Sequence, residues 1–277
     1  MRETGVLIVC LATLLAGAVS TRAQSSGGSF TDVPDRFRLE VGGFRIGADT
    51  KLTLQRGGVG DTVDFETDLD LDENANRGYI EGYWRAGRRH LISLAYQGLD
   101  REGGGVTLER TFNWGGQVFP AGTTATGFAH SDYVSGAYRF AAYRNDRFEI
   151  GPALGLGHLW IEAGIEATVS VGGVAIPLSQ SATSKNPTGN LGAYFYWWPA
   201  HRFLVRGDLR YILVKPEDSE ASIVEGKTGV LWHPLPKFSV GLQYTYTKFR
   251  YDRGLLDTSL GGSLRFSGGQ LVVGYVF

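Results

Sequence analysis

One pattern limits what this chain can fold into: apolar and polar residues alternate, one by one, in segment after segment. In 203–213, Phe203, Val205, Leu209, Tyr211 and Leu213 share one face, while Arg206, Asp208 and Arg210 share the other. In 222–232, Val224, Thr228, Val230 and Trp232 oppose Glu225, Lys227 and Gly229. Residues 238–246 set Phe238, Val240, Leu242, Tyr244 and Tyr246 against Ser239, Gly241, Gln243 and Thr245. In 133–142, Val134, Tyr138 and Phe140 oppose Ser135 and Arg139. The segment "GGQLVVGYVF" aligns Leu271, Val273, Tyr275 and Phe277 on one face. A period of two belongs to the β-strand, not to the helix. The 40 Gly, 13 Tyr and 15 Phe suit strands and tight turns, and no Gly-x-y period points to a triple helix.

The first 26 residues differ from this pattern. Arg2 precedes an apolar run at 5–19, and Thr21-Arg22-Ala23 offers a small-x-small cleavage site. Residues 1–23 are therefore read as a secretory signal, too short to cross a bilayer as a retained helix. The only cysteine, Cys10, lies inside this run, so disulfides have no role in the mature chain. Formal charge is -1 for the whole chain and about -2 without the signal, with no basic stripe, which argues against nucleic acid as a partner. Beyond the signal no apolar run reaches the ~18 residues of a spanning helix. The expected organisation is signal peptide 1–23, short tail 24–34 and one all-β domain at 35–277.

A soluble antiparallel sheet also alternates. Here, however, the apolar faces are aromatic in strand after strand. Short connections at 85–90, 143–147, 199–202 and 233–237 alternate with long ones at 57–75, 102–125, 170–187 and 214–221. Short turns on one rim and long loops on the other describe an up-and-down transmembrane barrel. Trp84, Trp160, Trp197, Trp198 and Trp232 lie near segment ends, where an interfacial belt would put them. A closed barrel leaves no backbone group unpaired in hydrocarbon. We expect ten strands, about 35–55, 76–86, 89–101, 126–143, 146–168, 188–200, 202–213, 222–233, 237–250 and 258–277. Eight or twelve stay open, because "SGGQ" at 267–270 reads equally as a bulge or a turn. In the first strand Phe37, Leu39 and Val41 are odd while Phe44, Ile46, Leu52 and Leu54 are even, a register shift that a bulge at Gly42-Gly43 would supply.

The signal peptide, the alternating strands and the terminal aromatic resemble the outer-membrane β-barrel proteins of Gram-negative bacteria. The resemblance implies placement in the cell outer membrane, contact with outer-membrane lipid and lipopolysaccharide, and an assembly signal at Val273, Tyr275 and Phe277 read by the barrel-assembly machinery. It reaches no family of known activity.

The inward face is expected to carry Arg38, Glu40, Glu81, Arg85, Gln97, Arg139, Glu149, Arg206, Asp208, Arg210, Glu225 and Lys227. Charges in a narrow, low-dielectric lumen must be paired or wetted. Mutual pairing would plug the barrel. The alternative is a narrow pore or small-ligand uptake channel lined by the same groups. Gly151, Gly155 and Gly157 are expected to face inward and leave room for arginines.

Three further features bear on function. The stretch "DTVDFETDLDLDENAN" at 61–76 is acidic, and Asp68, Asp70 and Asp72 form a weak candidate for a hard divalent cation. Ala75 stands where a calcium loop wants Gly, so a solvated acidic loop fits better. Residues 112–128 are aromatic and nearly uncharged; they either meet a surface partner, lipid or apolar ligand, or cap the barrel mouth. The histidines are His90, His130, His158, His201 and His233. His130-Ser131-Asp132 contains triad residues, but in a strand Ser131 points away from both neighbours. His158 is expected at the lipid face or aromatic belt beside Trp160. No nucleophile elbow, zinc helix or phosphate loop is present, so no enzyme activity and no cofactor are expected. The expected role is structural or surface-interacting.

Overall fold

The computed structural model describes residues 37–171, 173–214, 219–255 and 258–277. The expected signal peptide and tail lie outside the described residues. Ten long strands carry the fold: β1 Phe37–Arg56, β2 Asn74–Arg85, β3 His90–Glu102, β4 Thr124–Phe140, β5 Phe148–Val171, β6 Val174–Ala200, β7 Phe203–Val214, β8 Ser219–Leu235, β9 Phe238–Leu255 and β10 Thr258–Val276. Each pairs antiparallel with the next, β4 continues onto β5, and β1 pairs with β10 from Arg38↔Val276 to Arg56↔Thr258. The sheet is therefore a closed ten-strand barrel. Closure gives every long strand two hydrogen-bonded neighbours, which is the condition for standing in hydrocarbon.

Several details correct the sequence reading. Pairing runs through Gly42↔Val272 and Gly43↔Leu271 without a register shift, so there is no bulge in β1. The apolar parity switches for another reason: the interior itself turns apolar near the mouth, where Leu54 is buried. Val41 faces outward and Leu54 inward on one regular strand. The "SGGQ" stretch is neither bulge nor turn but part of continuous β10. Residues 170–187 are not a loop; β5 and β6 remain paired out to Val171↔Val174. At 24 and 27 residues these strands far exceed the roughly 9–11 that cross a bilayer, so their hairpin projects beyond it. Likewise the connection read at 214–221 is shorter, since β7 runs to Val214 and β8 begins at Ser219. Register shifts occur instead beside the short turns, at Trp197/Ala200 and Trp232/Leu235.

Outside, Trp84, Trp197 and Trp232 are exposed, with Leu154, Leu156, Leu191, Leu209, Leu242 and Leu271 between the rims. Trp198 is the exception to the belt: it points inward and is buried with Tyr83, Leu91, Tyr194, Tyr196, Leu204 and Leu231. This group forms an apolar floor near the short-turn end. The inward positions of β7 then give the layers in order: Leu204 in the floor, Arg206 and Asp208 in an ionic layer, Arg210 in a polar layer, and Ile212 in an apolar layer with Tyr133, Leu159, Ile223 and Phe249.

The far end is closed by the two long loops. Residues 57–73 carry a short strand, Thr62–Asp64, laid on β1 and a one-turn helix α1, Phe65–Leu69, with Asp64 as N-cap. The cap is an ordinary one: the Thr67 N–H donates to Asp64 Oδ1 at 3.1 Å. The second loop forms a small hairpin, Phe112–Trp114 with Gln117–Phe119. Its two turn residues, Gly115 and Gly116, both have positive φ (63° and 85°), as a type I′ turn requires. Val63, Phe65, Leu69, Leu108, Phe112, Trp114 and Phe119 pack with Leu54, Ala163 and Ile165 into one buried core over the mouth.

Candidate functional sites: the lumen and its cap

Strand alternation delivers the charged residues of six strands to the lumen, and all eleven ionisable groups expected there are buried. Arg206 Nη1 and Nη2 donate to Glu40 Oε1 and Oε2 at 2.7 and 2.6 Å, a bidentate pair. Arg38 adds a second cation to Glu40 at 2.5 Å. Arg139 lies 3.1 Å from both Glu81 and Asp208 and donates to the Tyr196 hydroxyl at 2.8 Å. Lys227 reaches Glu81 at 3.4 Å and lies 4.3 Å from the centroid of the Tyr79 ring. Arg85 donates to Glu149 at 3.1 Å, and the Tyr194 hydroxyl donates to the same oxygen at 2.9 Å.

These pairs join distant staves. Glu40 is on β1 and Arg206 on β7, four steps around the barrel; Glu81 on β2 and Lys227 on β8 are also four steps apart. Arg139–Asp208 and Arg85–Glu149 each span three steps. They therefore run through the lumen, not along its wall. Arg210 and Glu225 face one another in register between β7 and β8, yet neither enters an ion pair within 4 Å among the described residues. They belong to the polar layer above. There, buried side-chain atoms of Asn190, Gln243, Thr245 and Gln270 lack a protein partner. Gly155 and Gly157 face inward as expected, but their neighbours are Asn190, Thr188 and Tyr133. The room they leave is taken by neutral polar groups, not by arginines.

The cap is tied down by two arginines that sequence reasoning did not single out. Arg101, buried on β3, donates to Thr50 Oγ1 at 2.8 Å and to Glu66 Oε1 at 2.7 Å. Glu66 Oε2 in turn accepts the Thr50 N–H at 2.7 Å. Arg110 binds Asp68 at 2.7 Å, and that bond raises its already high pKa. Lys51 lies 2.8 Å from Asp64. Partial burial opposes ionisation of Asp64, but the Lys51 and Thr67 bonds outweigh it and hold the carboxyl below its usual range. The alternation signal is blind to these links because loop residues have no period.

The acidic stretch thus serves the cap. Asp68 is committed to Arg110, Asp70 is the left-handed C-cap of α1, and Asp72 accepts the Asn74 N–H. The structure does not bring these three carboxylates to one point. The cluster with ligand geometry among the described residues is a different one, Asp100, Glu102 and His130, on the outer face. His130 Nδ1 pairs with Asp100, while Asp132 accepts the Tyr96 hydroxyl at 2.7 Å. The His158 ring lies tilted against Trp160, centroids 4.2 Å apart, and His90 bonds Tyr138. At the seam Phe277 packs on Phe37 (5.4 Å) and on Tyr275 (5.0 Å), all on the outward face with Val273.

No protein-family model and no curated protein matches the chain. Among solved structures, the outer membrane protease OmpT from Escherichia coli superposes with TM-score 0.55 at 10% identity, covering 89% of this chain and 100% of that one. The chain has the fold of a Gram-negative outer-membrane β-barrel. Outer membrane protein OprG from Pseudomonas aeruginosa (TM-score 0.38, 7% identity, covering 87% of this chain and 98% of that one) is a more distant likeness. So is the attachment invasion locus protein Ail of Yersinia pestis (0.29, 14%, 85% and 99%). At these identities what is shared is the barrel, an architecture that hosts many unrelated functions.

Proposed function

We propose that this outer-membrane barrel is a closed, non-conducting scaffold whose capped outer end is its working surface. One observation carries the reading: four ion pairs run between staves three or four steps apart, at the level where a pore would have to pass. Each of these charges has an opposite charge within 4 Å, which offsets much of the cost of burying it. The apolar cap adds a second obstruction that ions do not cross. On this reading the loops at 57–73 and 103–123 meet the cell's surroundings, the assembly signal and the lipid contacts act in biogenesis, and no catalysis takes place.

The narrow-pore alternative is favoured by the polar layer, where unpartnered amides and hydroxyls suit a wet path. Single-channel recording of the refolded mature chain in planar bilayers, over a salt series, decides between the two. Silence from a protein shown to be inserted supports the closed scaffold; steady ohmic steps scaling with salt overturn it.

A further inference from the structure

Closure gives the long strands their neighbours, but at the rim β6 outruns one of its own. It is paired with β5 from Val171↔Val174 down to Phe148↔Trp197. On its other side β7 accompanies it only up to Thr188↔Val214. Above that level Ser179, Ser181, Thr183 and Lys185 have β5 on one side and no strand on the other among the described residues. Elsewhere on the rim such an edge is covered. Where β2 ends beside β1 at Gly47↔Asn74, the short strand Thr62–Asp64 takes over opposite Thr53, Leu52 and Lys51. Where β3 ends beside β4 at Glu102↔Phe128, Val106 and Thr107 take over opposite Ala125 and Thr124.

The sequence leaves this edge unguarded. Proteins blunt an exposed edge with charge, bulges or proline. Residues 167–184 contain no Asp, Glu, Lys or Arg, and the β5–β6 register runs through them without a shift. Prolines stand only at the two ends, Pro177 and Pro187. Both sit in the continuous ladder, opposite Thr168 and His158, and proline keeps such a place when its missing N–H belongs on the open side. Ser179, Ser181, Thr183 and Lys185 share that parity, so their N–H and C=O groups point away from β5. Their side chains Ser179, Ser181 and Thr183 are exposed on the outward face. Leu178 and Ala182 alternate with them and are only partly buried against the cap core. Lys185 is exposed and enters no ion pair among the described residues.

We propose that this edge accepts an extended peptide segment of a partner protein as an added strand, antiparallel to β6, in the place β7 leaves above Val214. It rests on the reading of the capped outer end as the working surface. The two prolines bound the register, and the side chains give the partner a pattern. Apolar residues lie over Leu178 and Ala182 and extend the cap core, hydroxyl residues stand beside Ser179, Ser181 and Thr183, and a carboxylate meets Lys185. Main-chain hydrogen bonds supply the affinity and the alternate side chains the selection. A second copy fits less well. Copies side by side in one membrane carry β6 in the same direction, so their edges do not meet antiparallel.

The test is fluorescence anisotropy of a labelled peptide, Glu-Val-Thr-Val-Thr-Val-Thr-Val, titrated with the refolded mature chain in detergent. Heat-modifiable gel mobility of the same samples reports barrel formation. The barrel is expected to bind the peptide. S181A should bind as the parent does, because the backbone donor remains. S181P removes that donor on the open side alone and should bind at least about tenfold more weakly. A peptide N-methylated at its Thr residues should fail, while one N-methylated at its Val residues, whose N–H groups face away from β6, should still bind. K185E should prefer a peptide with Lys in place of Glu. A folded barrel that ignores the peptide overturns the edge, and so does S181P binding as the parent does, which would show side-chain adhesion only. Self-association in sedimentation that S181P abolishes, with no peptide bound, overturns it too and assigns the edge to a second copy. The two readings fail separately: a barrel that binds the peptide yet conducts in a bilayer sinks the closed scaffold and leaves the edge standing, and a silent barrel that ignores the peptide does the reverse.

Discussion

Glu40 has two arginines as partners. Arg206 grips it with two hydrogen bonds and Arg38 lies 2.5 Å away, with all three side chains buried. Removing its charge leaves two guanidinium groups facing each other in a low-dielectric interior. Glu40→Gln should therefore destabilise the barrel by about 3 kcal/mol, measured by urea unfolding in detergent or lipid. Arg206→Gln should cost less, because Arg38 still answers Glu40. Combining the two should cost clearly less than the sum, since the second change removes one of the stranded cations. An additive double variant would mean that the pair is weak or wetted. These residues were legible in the sequence because each sits on the polar side of an alternating strand. Which partner each would choose was not legible: Glu40 and Arg206 are 166 residues apart, and pairing across a lumen depends on barrel closure and strand stagger.

At the scale of the element, regular strands explain both what the alternation showed and where it misled. A parity switch in β1 looked like a bulge because a constant apolar exterior was assumed along the whole strand. The strand is regular and the surroundings change: hydrocarbon outside below, a capped apolar interior above. The protruding β5–β6 hairpin was hidden for a related reason. Above the band, residues such as Thr183, Ser181 and Ser179 on β6 are polar without being loop, so hydropathy no longer distinguished strand from turn. Glycines test this geometry. A Cβ at Gly155 would lie 2.4 Å from the Gly136 carbonyl oxygen and 2.6 Å from the Asn190 amide, whereas at Gly43 it would meet nothing. Gly155→Ala should push β4 and β5 apart and cost roughly 2 kcal/mol, the scale of overpacking. Gly43→Ala, on the lipid face with free space, should be neutral or slightly stabilising. Thermal gel-shift midpoints of the two variants are sufficient, and equal effects would refute the assigned faces.

For the whole molecule, the closed-scaffold reading puts two barriers in series above the apolar floor of the lumen. One is the ionic layer, linked by Glu40–Arg206, Glu81–Lys227, Arg139–Asp208 and Arg85–Glu149. The other is the apolar cap, in which Trp114, Phe119, Phe65 and Leu69 have no solvent exposure. Resistances in series add, so removing one barrier leaves the other in control. Thinning the ionic layer alone, as in E40A/E81A/R206A, which removes the Glu40–Arg206 and Glu81–Lys227 links, should give a barrel that is less stable but still silent in a bilayer. Replacing residues 108–121 by a short Gly-Ser linker should also leave it silent, because the charged pairs still bridge the lumen. Only the combination should conduct, with current rising with salt and favouring anions, since the cations Arg38, Arg139 and Lys227 would then line the path with fewer carboxylates to balance them. A current from the linker variant alone would show that the ionic layer is a permeable lining, and the narrow-pore reading would replace the closed scaffold. A current from the triple variant alone would instead assign the closure to the ion pairs and leave the cap as a cover without a barrier function.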